Sequence, residues 1–154
     1  MRSSAASDVY KRQVKDGEKQ NTGSIRLTFF DIFSDKTKQF GFKAVFPSGK
    51  VLTCLGDEPF NEKCRNFVQK CDYLMCEAFC LYSQKDIFKP YEKFHSTALD
   101  AGKLAESLFA KNLILYHTED ETLQTRKRTY TSEARTVFNG NIFVPDDFEV
   151  IDLK

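Results

Sequence analysis

The first third of the chain is written in strand pattern. Residues 25–33 (IRLTFFDIF) and 38–46 (KQFGFKAVF) are aromatic and β-branched, and the polar SDKT between them completes a hairpin signal. Pro47-Ser48-Gly49 supplies a second turn, and residues 51–55 (VLTCL) predict a third strand. The period then changes. Asn61 is placed as an N-cap, and Cys64, Phe67, Val68 and Cys71 recur at helical spacing. Residues 72–79 (DYLMCEAF) contain a short buried strand, and residues 81–93 have no clear period and read as an irregular loop. Thr97 and Asp100 form a weak capping box, followed by an apolar stripe of Ala98, Ala101, Leu104, Ala105 and Leu108. Residues 113–116 (LILY) are continuously apolar, which suits a strand buried on both faces. A third helix is predicted near residues 132–138 with Gly140 just past its end, and residues 142–144 and 148–153 predict closing strands. Residues 14–24 are polar, contain two glycines and read as a loop. Strands exchanging with short helices in this way predict a layered α/β domain.

Composition narrows the class. The 154 residues are 41% hydrophobic, with 15 Phe and no Trp, enough for one packed core. The apolar runs are too short to span a bilayer, and no export signal is visible, so a cytoplasmic protein is expected. The net charge of +1 gives no electrostatic case for nucleic acid. Cys54, Cys64, Cys71, Cys76 and Cys80 have no paired Cys-x-x-Cys spacing and are expected to be reduced, buried thiols.

Residues 1–13 do not match the rest of the chain in pattern or composition. Asp8-Val9-Tyr10-Lys11-Arg12-Gln13 is what GAT GTG TAT AAG AGA CAG encodes, a string that looks like the end of a transposon adapter read as coding DNA. The segment is therefore set apart from the fold; the other reading is a natural N-terminal tail. On the adapter reading the gene was cut on its 5′ side, and residues 25–154 are the C-terminal half of a larger domain.

Three polar residues follow or end apolar strands: Asp57 after VLTCLG, Glu77 within YLMCEAF and His117 after LILY. Sites in layered α/β proteins collect at strand ends. Carboxylate oxygen and imidazole nitrogen both suit zinc. Each residue also has an ordinary reading: Asp57 as a turn residue, His117 as a hydrogen-bonded surface or core residue, and Glu77 as a buried carboxyl needing a partner. His95 and His117 are the only histidines in the chain.

The order Leu55-Gly56-Asp57, Cys76-Glu77-Ala78-Phe79, His95-Ser96-Thr97-Ala98, Leu115-Tyr116-His117, then Tyr130 with Glu133-Ala134-Arg135, resembles the C-terminal half of the metallo-β-lactamase fold, in particular its ribonuclease Z-like group. The resemblance spans about residues 25–153 and implies an αββα sandwich with a mixed sheet and helices on one face. It implies that Asp57 matches the aspartate bridging two metal ions, and that His117 completes the second metal's ligand set. His95 matches the His-Ser-Thr histidine that contacts the scissile phosphate, and Glu77 orients His95. The implied chemistry is two-metal hydrolysis of a phosphodiester at RNA 3′ ends, as in a tRNA precursor, with two zinc ions and a homodimer in the full-length parent. Other hydrolases of small phosphodiesters or esters, and a non-catalytic interaction domain of the same fold, are the alternatives.

Two departures bear on this. Glu58 stands where family members often have Thr, an extra carboxylate that could alter metal preference. The His-x-His-x-Asp-His motif has no counterpart, since no histidine precedes His95. Asp57 and His117 fall short of the three or four ligands each zinc needs, so this chain alone is expected to bind metal weakly and to be inactive. Arg126-Lys127-Arg128 with Lys85, Lys89 and Lys93 could contact RNA phosphates, and Tyr82, Tyr91 and Tyr130 could stack on bases. A solvated face and core packing explain the same residues.

Overall fold

The computed structural model describes residues 13–153, so all but Gln13 of the adapter-like segment lies outside the described residues. Seven strands form one sheet in sequence order: β1 (Lys19–Thr22), β2 (Ile25–Asp31), β3 (Phe40–Val45), β4 (Val51–Cys54), β5 (Tyr73–Glu77), β6 (Asn112–Tyr116) and β7 (Asn141–Phe143). The first four are antiparallel neighbours, whereas β4 through β7 run parallel.

The antiparallel half follows from local turn chemistry. Gly23, at φ +57°, opens a two-residue turn that pairs β1 with β2. Residues 14–24 therefore hold a strand rather than only a loop. Its polar KQNT composition hides it, because an edge strand needs a backbone partner and not a buried face. Phe30 and Gly41 are register partners across β2 and β3. A Cβ on Gly41 would lie 2.6 Å from the Phe30 ring, so the glycine makes room for that fully buried side chain.

The parallel half requires crossovers, and these carry the helices. Between β4 and β5 lie a 3₁₀ turn at Glu62–Cys64 and a single α-turn, α1 (Arg65–Val68), shorter than the 64–71 periodicity predicts. Asn61 caps the 3₁₀ turn by accepting from the Lys63 amide at 3.1 Å. Between β5 and β6 lie α2 (Lys85–Phe88), flanked by 3₁₀ turns at Tyr82–Gln84 and Tyr91–Lys93, and α3 (Ala98–Ser107). Residues 81–93 are thus short helical turns rather than an irregular loop. The capping box of α3 is complete: Thr97 Oγ1 accepts from the Asp100 amide, and the Asp100 carboxylate accepts from the Thr97 amide.

Between β6 and β7 lies α4 (Arg126–Arg135), which begins six residues earlier than its apolar pattern predicts. Only Tyr130 and Ala134 of that helix are buried, so its polar first turn carries no periodic signal. Gly140 is not its C-cap; Thr136 is. A Cβ on Gly140 would lie 2.3 Å from the Lys111 carbonyl oxygen, so the residue is there for close backbone approach.

The main core lies between the helices and one sheet face. It contains Phe30, Val68, Leu74, Leu108, Leu113, Leu115, Tyr130 and Phe138, with Ala98, Ala101 and Ala105 bringing α3 close. On the opposite face Leu52, Tyr73 and Ile114 form a smaller cluster. Residues 148–153 are not a strand; Ile151 and Leu153 pack on that second cluster without joining the sheet. LILY is buried on both faces as its composition predicts. All five cysteines are free thiols and four are buried. Burial raises Cys64 and Cys71 to about 11 and Cys80 to about 12, which leaves them protonated and unreactive.

Candidate functional site

Because β4, β5 and β6 are parallel, their carboxyl ends open on one edge of the sheet, which brings residues 20 to 60 positions apart in sequence together. Gly56 follows β4 at φ +83° and turns the chain out of the sheet, presenting the half-buried Asp57 at that edge. The Tyr116 hydroxyl, at the end of β6, donates to the Gly56 carbonyl. The last residue of one strand thus positions the turn leaving another. His117 follows directly; it is exposed and itself adopts a left-handed conformation, φ +55°.

Glu77 ends β5 and is fully buried. Its Oε1 accepts from the Ser96 amide and the Ser96 hydroxyl, both at 2.6 Å. Its Oε2 has no hydrogen-bond partner and faces His95 Nδ1 at 3.6 Å; Nδ1 is likewise without a hydrogen-bond partner. At that separation the contact is electrostatic rather than a hydrogen bond. Burial pushes the Glu77 carboxyl up to about 7, against the Ser96 hydrogen bonds that favour the anion. Burial also pushes His95 down, helped by nearby His117 and Lys36 and opposed by the Asp57 backbone and carboxylate. Burial thus disfavours the charged form of both groups.

His95 sits between two rings. Phe79 stacks on it with centroids 5.0 Å apart and planes 21° from parallel. The His117 ring lies on it at 5.0 Å and 46°. With Nδ1 turned toward Glu77, Nε2 occupies the other side of the imidazole. His95 is only 13% exposed. The strand ends thus gather Glu77, His95 and His117, and Asp57 is close enough to act electrostatically on both Glu77 and His95.

Glu58 behaves differently. It is buried, and its Oε1 accepts from Ser34 Oγ at 2.8 Å and Gln39 Nε2 at 3.3 Å, with Lys36 Nζ at 3.9 Å. Those contacts anchor the β2–β3 loop and account for its burial without a metal ion. Arg126 and Lys127 are also occupied: Arg126 pairs with Asp146 and bonds Thr118, and Lys127 pairs with Asp146 and Glu149. Of that basic triplet, Lys127 and Arg128 are exposed. Tyr130 is fully buried and donates to the Phe79 carbonyl at 3.1 Å, so it is a core residue and not a stacking platform.

Three contributors carry no role in the sequence reading: Ser96 as donor to Glu77, Tyr116 as brace for Gly56, and Phe79 as stacking partner of His95. All three lie inside the quoted motifs, but their partners are 19, 60 and 16 residues away, respectively. Among the described residues no cluster of three or more His, Cys, Asp or Glu could hold a metal ion. The donor types at this edge suit a divalent metal, but Asp57 and His117 by themselves do not make a metal site.

The sheet order, the helices on one face and the polar cluster at the parallel strand ends define a metallo-β-lactamase fold. Solved structures of that fold superpose on the chain. YhfI from Bacillus subtilis matches with TM-score 0.69 and 18% identity over 86% of this chain and 51% of its own. The short form of human tRNase Z matches with TM-score 0.64 and 23% identity over 88% of this chain and 46% of its own. Zinc-bound PqqB from Methylobacterium extorquens matches with TM-score 0.62 and 13% identity, over 90% of this chain and 52% of its own. In sequence the chain is similar to ribonuclease Z of Bacillus cereus strain AH187, 33% identical over 98 residues. That alignment covers 64% of this chain, which spans about a third (31%) of the relative's length. No protein-family model matches the chain.

Proposed function

We propose that this chain carries the substrate-facing half of a metal-dependent phosphodiesterase of the ribonuclease Z type, acting at the 3′ end of a tRNA precursor. The observation that supports it most is the His95 imidazole held between Glu77 and His117 at the edge where Asp57 emerges. The similarity to ribonuclease Z supports the substrate class.

In this reading Asp57 and His117 are ligands to zinc, and the remaining ligands come from additional chain in a longer parent protein. A metal would supply Lewis-acid stabilisation of the phosphoryl oxygens when bound. The present residues do not fit two ions on their own, and the role of this chain's side chains is to orient and move a proton. His95 is placed to give or take that proton at Nε2. The Glu77 carboxyl facing Nδ1 at 3.6 Å acts on it electrostatically and favours a proton on that nitrogen. Phe79 and the low exposure of His95 keep water from the rear of the ring. A cytoplasmic homodimeric parent belongs to the same reading.

The test is substrate choice by the full-length parent. Metal-dependent cleavage of a tRNA precursor in strong preference to a generic phosphodiester supports the proposal. Equal turnover of both points to a hydrolase of small phosphodiesters, and a metal-free, inactive parent points to a binding module.

A further inference from the structure

We propose that Glu119 is a positioning residue: with Tyr130 it forms a latch that fixes Phe79 and His117 against the His95 imidazole. This rests on the hydrolase reading for the use made of His95, while the latch itself is a matter of hydrogen bonds and ring geometry.

Glu119 is only 5% exposed, although it lies in the loop between β6 and α4, two residues beyond His117. A carboxyl group is taken out of water at low cost only where donors replace the water. Here four do. The amides of Glu121 and Thr122 donate to Oε2 at 2.5 and 3.2 Å, and the Thr122 hydroxyl donates to Oε1. The Tyr130 hydroxyl, reaching in from α4, lies 3.4 Å from the same Oε1. The first three bonds close the turn that follows His117, and the fourth ties that turn to α4. Arg126, also on α4, adds a bond to Thr118 Oγ1 at 2.8 Å. The two residues after His117 are thus both held by α4.

The same pair reaches Phe79. The Glu119 amide donates to the Phe79 carbonyl at 2.7 Å, and the Tyr130 hydroxyl donates to it at 3.1 Å. The Phe79 amide in turn donates to the carbonyl of Ser96, the neighbour of His95, at 2.9 Å. Phe79 is therefore fixed at its amide and at its carbonyl, with its ring stacked on His95. The β5–β6 ladder ends at Glu77 and Tyr116. Beyond it, after one more bond from the Ala78 amide to the Tyr116 carbonyl, the two strand exits are joined through Glu119 and Tyr130.

Filling the core does not require these polar groups. Tyr130 is fully buried, and a phenylalanine there would occupy the same space with no hydroxyl to satisfy. What the pair adds is direction. Hydrogen bonds fix how the segment carrying Phe79 meets the segment carrying His117, and both rings touch His95. A displacement of about 1 Å at a reacting group can cost on the order of a hundredfold in rate.

The experiment is proton NMR of the 154-residue chain, whose only histidines are His95 and His117. Wild type is expected to show nuclear Overhauser contacts from the His95 ring to the Phe79 and His117 rings, with the His95 ring protons moved upfield by the face of Phe79. Tyr130→Phe, which keeps the core filled, weakens the Phe79 contact and moves the His95 signals downfield. Glu119→Ala combined with Tyr130→Phe loses the contact. Phe138→Leu is the comparison: it loosens the same core at its Lys111 end, away from the latch, and lowers the melting temperature while the His95 signals stay in place. The proposal is overturned if wild type lacks the contacts, if Tyr130→Phe leaves the His95 signals unmoved, or if Phe138→Leu moves them as far. That last result would make the shift a consequence of lost stability. If the double variant does not fold, Tyr130→Phe alone decides. No cleavage is read and no metal is added, so failure here leaves the hydrolase reading to its own test.

Discussion

On the proposed hydrolase reading, cleavage of a tRNA precursor by a longer protein containing this chain is expected to fall about a hundredfold to ten-thousandfold on His95→Ala, with the metal content unchanged. The geometry sets both halves of that expectation. Nδ1 of His95 faces the Glu77 carboxyl, and the ring is flanked by Phe79 and His117, so Nε2 is the nitrogen turned away from that carboxyl. A buried carboxyl facing one imidazole nitrogen biases the tautomer electrostatically and leaves the other nitrogen to move a proton. Removing His95 deletes the proton relay and leaves Asp57 and His117 in place. Steady-state rates together with metal analysis of the purified variant check the expectation. Parallel loss of metal and rate would make His95 a ligand instead.

The second large effect is on stability. Glu77→Gln is expected to remove most of a pH dependence worth about 3 kcal/mol in this chain. Burial raises the folded-state pKa of Glu77 to about 7 from an ordinary value of 4.5. Between those values the folded state binds the proton more tightly than the unfolded chain does. The contribution of this group to stability is therefore fully present below about pH 4.5 and is lost as pH rises through about 7. Glutamine keeps an acceptor for Ser96 and places an amide beside His95 Nδ1, and it does not ionise. The depressed pKa of His95 acts in the opposite direction, with stability lost as pH falls below its ordinary value, 6.5. The informative quantity is therefore the difference between wild type and variant. Urea unfolding at about pH 5 and about pH 8 gives it: the variant gains on wild type at the higher pH. An equal difference at both pH values would mean that Glu77 is already ionised in the fold.

Legibility in the sequence tracks burial. LILY, IRLTFFDIF and KQFGFKAVF declare strands because their apolar side chains face a core, and Asp57, Glu77 and His117 stand out as polar residues set against such runs. The elements without a clear signal are held by backbone pairing or by a few contacts. β1 is polar because only its hydrogen bonds matter, and α4 shows the core just Tyr130 and Ala134. Residues 148–153 carry strand composition, yet Ile151 and Leu153 use it to cover the second sheet face rather than to extend the sheet. Gly140 has the residue type of a helix stop, but its reason is the Lys111 carbonyl 2.3 Å from where a Cβ would stand. At the site, Ser96, Tyr116 and Phe79 act through partners distant in sequence, a relation that spacing within a motif does not encode. Glu58 is the reverse case: its position next to Asp57 suggests metal chemistry, and its bonds to Ser34 and Gln39 assign it to the loop.

On the proposed reading His117 is the metal-facing histidine and His95 the proton-handling one. The chain contains only these two, so their imidazole nitrogens can be followed individually by NMR as millimolar zinc is added. The His117 nitrogen is expected to shift to a metal-bound value and Asp57→Asn to abolish the shift, while His95 keeps its tautomer. Zinc captured by His95 with His117 unmoved, or a His117 shift indifferent to Asp57, would contradict it.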